Sequence, residues 1–411
     1  MRLLRYELKK LFSSKLILVS LCVLYIFNLL VILNFGSMKY VSLGYTTYLR
    51  EYIDSGSDNW YEEMMAEYQQ YFNANLKPEE ELAELRQRVI ELHPELSEEE
   101  VESIMSDPHM ALVNYDDDIV GAYMEAAPIR NFAVNAKDFG ESYAEEYREH
   151  YPGEKGEVLA AKVTEMFNTL AEEVEPYYEY DDSWWDIRGA HRFFAVTLGM
   201  VIAIALCRLF TYDRTHRAED VISSTRHGRK KLIYAKIGAG FVFALLVWLF
   251  YEVANAAVIF SMTGFSGAES MWQYFYYINA PFIFNQWQIT VVTIITSLFG
   301  TLMAAAMIML VSSILKKQYA ALIVSAVLLI VPALKVVNIN FVEAGSFIDN
   351  VLDFFPSRIM CAITEWQEMD LLYVFGNAVP LEYLLIPVAV IITVGLSVLC
   401  FFRYRKKQLA D

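Results

Sequence analysis

The residues best equipped for chemistry lie in one charged stretch, Phe210 to Lys236, which reads FTYDRTHRAEDVISSTRHGRKKLIYAK. Glu219 and Asp220 precede the hydroxyls of Ser223, Ser224 and Thr225, and Arg226, Gly228, Arg229 and Lys236 follow. Such a stretch makes a compact polar knob protruding from a membrane. A short helix fits Ala218 to Ser224, a turn fits Gly228, and cations then lead into an apolar run. The plain alternative is a charged connector that fixes orientation. A second polar pair, Glu252 and Asn255, falls within an apolar stretch. Ionisable residues at such depth mark a pathway or a buried pair, unless the span ends early and Glu252 reaches the outer headgroups.

Other patterns carry less. Asn114, Asp116, Asp118 and Glu125 match EF-hand positions one, three, five and twelve, but Ile119 stands where the sharp turn needs Gly. His93 and His109 lack H-E-x-x-H spacing, so no metal site is expected. No intramembrane nucleophile–base set can be picked out, and no G-x-x-x-x-G-K-[ST] loop occurs, so the chain has no recognisable phosphate cradle. It is therefore read as a non-enzyme that holds no cofactor itself.

The elements that position these residues follow from charge. Outside one acidic block, nearly all cations fall in four clusters beside apolar runs: Arg2/Arg5/Lys9/Lys10/Lys15, Arg208 to Lys236, Lys316/Lys317, and Arg403/Arg405/Lys406/Lys407. The block, Gly36 to Ala190, has 36 Asp/Glu against 11 Lys/Arg, a net of −25 within a chain of −17; the remainder is +8. A bilayer sorts charge in this way, keeping Lys and Arg on the cytoplasmic side while long loops are exported whatever their charge. Cys22, Cys207 and Cys400 lie in apolar runs, Cys361 stands alone, and packing is the expected use of all four. The first apolar run is too long for a signal peptide, and no small-x-small cleavage site follows it.

The expected fold is an all-α polytopic membrane protein of six transmembrane helices, with a large, mainly helical extracellular domain between helices 1 and 2. Residues 1–35 form an interfacial helix (Leu4, Leu8, Leu11 and Phe12 on one face) and the first span, Leu16 to Phe35. Residues 36–190 form the acidic domain, with a Pro78-started helix and capping-box spacing at Ser97–Glu100. Residues 191–411 hold spans 2 to 6: Phe193–Phe210, a run from Leu232 that extends as far as Met262, Ile289–Leu315, Tyr319 to about Val337, and Tyr383–Phe402. The overlong third span should tilt or break near its outer end. The loop 211–231 lies inside, and the element 338–382 lies outside. In the latter, Ile348, Val351, Leu352 and Phe355 line one helical face that Pro356 ends. Six spans place both termini and all four basic clusters in the cytoplasm.

At this point the chain resembles the permeases of the ABC-2 type, membrane subunits of bacterial ATP-binding-cassette exporters. The resemblance covers the six-span plan, the N-terminal interfacial helix, the loop 211–231 and the helical element before span six. It does not cover the acidic domain, and Thr225-Arg226-His227 stands where the family usually has Pro. It implies that Glu219, Asp220, Ser223, Ser224, Thr225, Arg226, Gly228, Arg229 and Lys236 form the coupling surface for a separate ATPase. That ATPase would bind ATP and Mg, and a second permease subunit, identical or similar, would complete the transporter in the bacterial cell membrane.

The expected function is export of a peptide, lipid or other amphipathic or antimicrobial compound. The expected contacts are ATPase, partner permease and membrane lipid, and nucleic acid is not among them. The other class of reading is a membrane-anchored sensor or scaffold whose outer domain binds a partner without transport.

Overall fold

The computed structural model describes residues 2–35, 39–114, 117–174, 179–215, 230–273, 280–334, 347–361, 366 and 369–410, and these are mostly helical. Among them, five helices are long and apolar enough to cross a membrane. They are α2 (Lys15–Phe35), α11 (Asp182–Thr215), α12 (Lys230–Thr263), α13 (Gln286–Ile314) and α17 (Leu381–Ala410). The expected span over Tyr319 to Val337 is the shorter apolar helix α14, Gln318–Ala333. Its sixteen residues rise about 24 Å, less than the roughly 30 Å of a bilayer's hydrocarbon core. The third expected span lies in α12, a helix that runs unbroken to Thr263.

Helix α13 is the central member, packed against α11, α12, α14 and α17. Its buried face is built of Thr293, Thr296, Ser297, Gly300, Ala304 and Ala305, small residues that let neighbouring backbones approach. Several hydroxyls of this helix find partners in the apolar interior. Thr293 and Thr296 donate to the carbonyls four residues back at 2.8 Å, and Ser312 donates to Cys207 O of α11 at 2.9 Å. A close backbone approach is at Gly300, where an added Cβ would lie 2.5 Å from Met360 N. Met360 belongs to α16 (Pro356–Cys361), which follows α15 (Phe347–Asp353). Pro356 thus starts a helix in addition to ending one, since a first-turn position needs no N–H donor.

Among the described residues the acidic segment holds, before α11, the helices α3 (Lys39–Ile53), α4 (Trp60–Asn75), α5 (Glu79–Leu92), α6 (Glu98–Met105), α7 (Pro108–Ala111), α8 (Asp118–Arg130), α9 (Phe132–His150) and α10 (Glu154–Glu173). The expected start signals operate: Pro78 precedes α5, and Ser97 with Glu100 closes a reciprocal capping box on α6. Helices α9 and α10 lie side by side, and Gly140 admits Phe167 where a Cβ would come within 2.7 Å.

Two features join the acidic segment to the bundle. The boundary near residue 190 falls inside α11, which starts at Asp182 and continues to Thr215 without a joint. The core of α9 and α10 is also completed from outside the segment, by Met271, Met369 and Leu371. Leu371 opens a β-hairpin, β1 (Leu371–Val374) with β2 (Asn377–Pro380), so the fold is not purely helical. Its two-residue turn, Phe375–Gly376, has both φ angles positive at 49° and 85°, as a primed hairpin turn requires. Leu371 N donates to Tyr147 Oη at 3.0 Å and pins the hairpin to α9.

The Gly300 approach is testable against a control in the same fold. Gly300→Ala is expected to cost about 1–3 kcal/mol, because backbone must move to admit the methyl. Gly395→Ala meets no atom within 4 Å and should be neutral or stabilising. Thermal unfolding of both variants in detergent decides, and equal midpoints would refute the close-packing account.

Candidate functional site

The coupling residues inferred from the sequence divide sharply. Glu219, Asp220, Ser223, Ser224, Thr225, Arg226, Gly228 and Arg229 lie outside the described residues, whereas Lys236 is placed in full. Lys236 is 1% exposed on the face of α12 that meets α11. A buried ammonium must be paired, and the neighbouring helices supply the partners. Its Nζ stands 2.8 Å from Asp213 Oδ2 of α11 and 3.6 Å from Glu7 Oε2 of α1 (Arg2–Phe12), and donates to Leu209 O. Lys10 lies 3.2 Å from Glu7 and 3.4 Å from Asp213.

Two ammonium groups and two carboxylates thus balance in one cluster spanning three helices. Burial works against the charge of Lys10, but Glu7 and Asp213 more than offset it, and its pKa moves up from the ordinary lysine value. The cluster explains how α1 is held. Leu4 packs at Gly238 of α12, and Leu8 and Leu11 join the bundle core, so most of the apolar face read from the sequence seats on protein. Glu7 escaped the sequence reading, although it is the only acidic residue within the first basic cluster.

A second polar set lies farther along α12. Asn255 accepts a 2.9 Å hydrogen bond from Asn28 Nδ2 of α2, and both side chains are buried. Glu252, 8% exposed, lies 3.2 Å from His191 Nε2 of α11. His191 Nδ1 faces the Ile187 carbonyl at 2.8 Å. A carbonyl only accepts, so this geometry suits the tautomer whose Nδ1 carries the hydrogen. Glu252 sits eleven residues before the end of α12, so it is a buried pair member and not a helix-end residue. His191 and Asn28 were missed from sequence. Asn28 was detectable as one of two asparagines, with Asn34, inside the first apolar run.

The EF-hand spacing does not assemble. Asp116 lies outside the described residues, and Asp118 opens α8. Glu125 is seven residues on in that helix, about 10 Å along its axis, where a calcium loop would have to curl back. Among the described residues no His, Cys, Asp and Glu group could hold a metal ion. Glu125 is instead buried near the start of α11. Desolvation, with Asp181 and Asp182 nearby, pushes its carboxyl well above the usual range.

Asp181 is raised to about 7, mainly by burial; Arg188 pulls it down and Asp182 pushes it up. Gln286 donates to Asp181, while Arg188, fully buried, donates to Thr290 Oγ1 at 3.2 Å. These bonds tie the segment preceding α11 to the start of α13.

Two outcomes follow. Lys236→Met leaves two carboxylates sharing Lys10, and should cost about 3–5 kcal/mol of stability. Adding Asp213→Leu should recover part of that loss in thermal unfolding, and a fully stable Lys236→Met would refute the clamp. Asp181 and Glu125 bind protons more tightly folded than unfolded, so their contribution is intact below the unfolded carboxyl values near pH 4. It is lost as pH rises through the folded-state values, about 7 for Asp181. Unfolding midpoints should therefore fall between pH 5 and pH 8 more steeply than in Asp181→Asn, and parallel profiles would refute the assignment. In comparisons with protein-family models, curated proteins and solved structures, the chain matches none of them.

Proposed function

We propose that this chain is the membrane-spanning permease subunit of an ABC-2-type exporter, powered by a separate ATPase that docks on the loop between α11 and α12. The observation that carries the reading is the cluster of Glu7, Lys10, Asp213 and Lys236. It joins the helix before the loop, the helix after it, and the N-terminal helix, at the loop's root. A force applied to residues 216–229 would then move α1, α11 and α12 together, since displacing any one would expose an unpaired buried charge. Rigid linkage of this kind is what a coupling surface needs to transmit nucleotide-driven closure to the bundle.

In this reading α14 is the remaining span, both termini are cytoplasmic, and the acidic domain faces outward. The continuous α11 would carry motion from the loop to the base of that domain. A net charge of −25 on the domain would concentrate cationic amphipathic cargo by attraction. The paired Glu252 and His191 would lie along the helix that moves, as an intramembrane polar site.

The test is co-purification. Wild-type protein extracted from its native membrane should carry ATP hydrolysis with it. Replacing Glu219, Asp220 and Arg226 together should reduce that hydrolysis at least about tenfold, the loss of roughly 1.4 kcal/mol of docking energy, without altering extraction. Unchanged hydrolysis would sink the docking assignment and favour a sensor or scaffold.

A further inference from the structure

The charge cluster forms part of a cleft of about 400 Å³ between α1, α2, α11 and α12, within the range of small-ligand sites. Glu7 and Asp213 are each held by both Lys10 and Lys236, so those four charges balance. Two further cations line the same cleft, Lys15 and Arg208, and among the described residues no other carboxylate does. Arg208 is half-buried, donates to the neutral Ser14 hydroxyl at 2.6 Å, and lies 5.5 Å from the Tyr212 ring. Lys15 is exposed at the first turn of α2, whose N-terminal dipole adds positive potential. The cleft therefore has a surplus of two positive charges in a partly dry setting, which suits a phosphate-bearing anion.

The surroundings decide which anion. Directly above Lys15, α2 leaves a long apolar side bare, including Leu16, Val19, Val23, Phe27 and Leu30. A headgroup in the cleft would place its acyl chains against that side, whereas a free phosphate would use none of it. We propose that this cleft binds the headgroup of an anionic phospholipid and thereby fastens α1 to the bundle. Basic pockets between membrane helices recognise such headgroups by the same charge and depth. The proposal stands whether or not the chain is a transporter, because it requires only the bundle and a bilayer.

The purified full chain, reconstituted in nanodiscs of phosphatidylcholine with or without phosphatidylglycerol, provides the test. Native mass spectrometry should find phosphatidylglycerol retained in preference to phosphatidylcholine, and thermal unfolding should shift upward with it. Each cation removed should weaken retention about fivefold, so that Lys15→Gln with Arg208→Gln loses about 30-fold, while Arg208→Lys keeps most of it. Equal retention in the double variant would overturn the site. Inorganic phosphate that stabilises the detergent-solubilised chain as much as phosphatidylglycerol would overturn the lipid as its occupant. Should the double variant fail to fold, Lys15→Gln alone decides, since that side chain is exposed; an undiminished preference in it would overturn the proposal.

Discussion

The arrangement of this molecule depends on one constraint: a charge carried into an apolar helix bundle must find its opposite there. Lys236, with 1% of its surface exposed, cannot remain an isolated cation, and the cost of doing so would be several kcal/mol. Asp213 and Glu7 therefore lie beside it, and Lys10 balances the second carboxylate. That requirement fixes the N-terminal helix against α11 and α12 more specifically than apolar contact could. Leucines can slide along a helix surface, but an ion pair between three helices holds one register.

The same logic recurs at two other depths. His191 with Glu252 ties α11 to α12, and Asn28 with Asn255 ties α2 to α12. Near the start of α11, Arg188, Gln286 and Asp181 connect that helix to α13 and to the segment that leads out of the acidic domain. Helix α12 or α13 takes part in every one of these ties. Small residues then bring the backbones close enough for side chains this short to reach, as at Gly300.

The acidic domain is joined to the bundle more firmly than a tethered module would be. A helix continuous from Asp182 to Thr215 leaves no hinge at the junction, and the hairpin before α17 contributes Leu371 to the core of α9 and α10. Motion at either end of α11 must therefore be felt at the other. This connection gives physical content to a role for the domain in the bundle's function, whatever that domain recognises.

Much of the architecture was legible in the residues themselves, because it follows from local rules. Apolar runs of twenty residues or more, Pro78, and the Ser97–Glu100 box identify helices without reference to any neighbour, and the clustering of cations marks one end of the bundle. Glu252 and Asn255 were also visible, as polar residues where apolar ones are expected, and Lys236 as the last cation of a charged stretch. Their partners were not: Glu7, Asp213, His191 and Asn28 come from other helices, up to 229 residues away between Glu7 and Lys236. Pairing across such separations is set by how helices pack, which a one-dimensional pattern does not encode. The EF-hand spacing failed for the converse reason, since residues that suit a loop by position were drawn into α8 by its apolar face. The sequence by itself determined a helical chain suited to a membrane, with polar groups at particular depths. Only the tertiary structure decided what each of those groups meets, because burial and pairing are properties of the packed helices together.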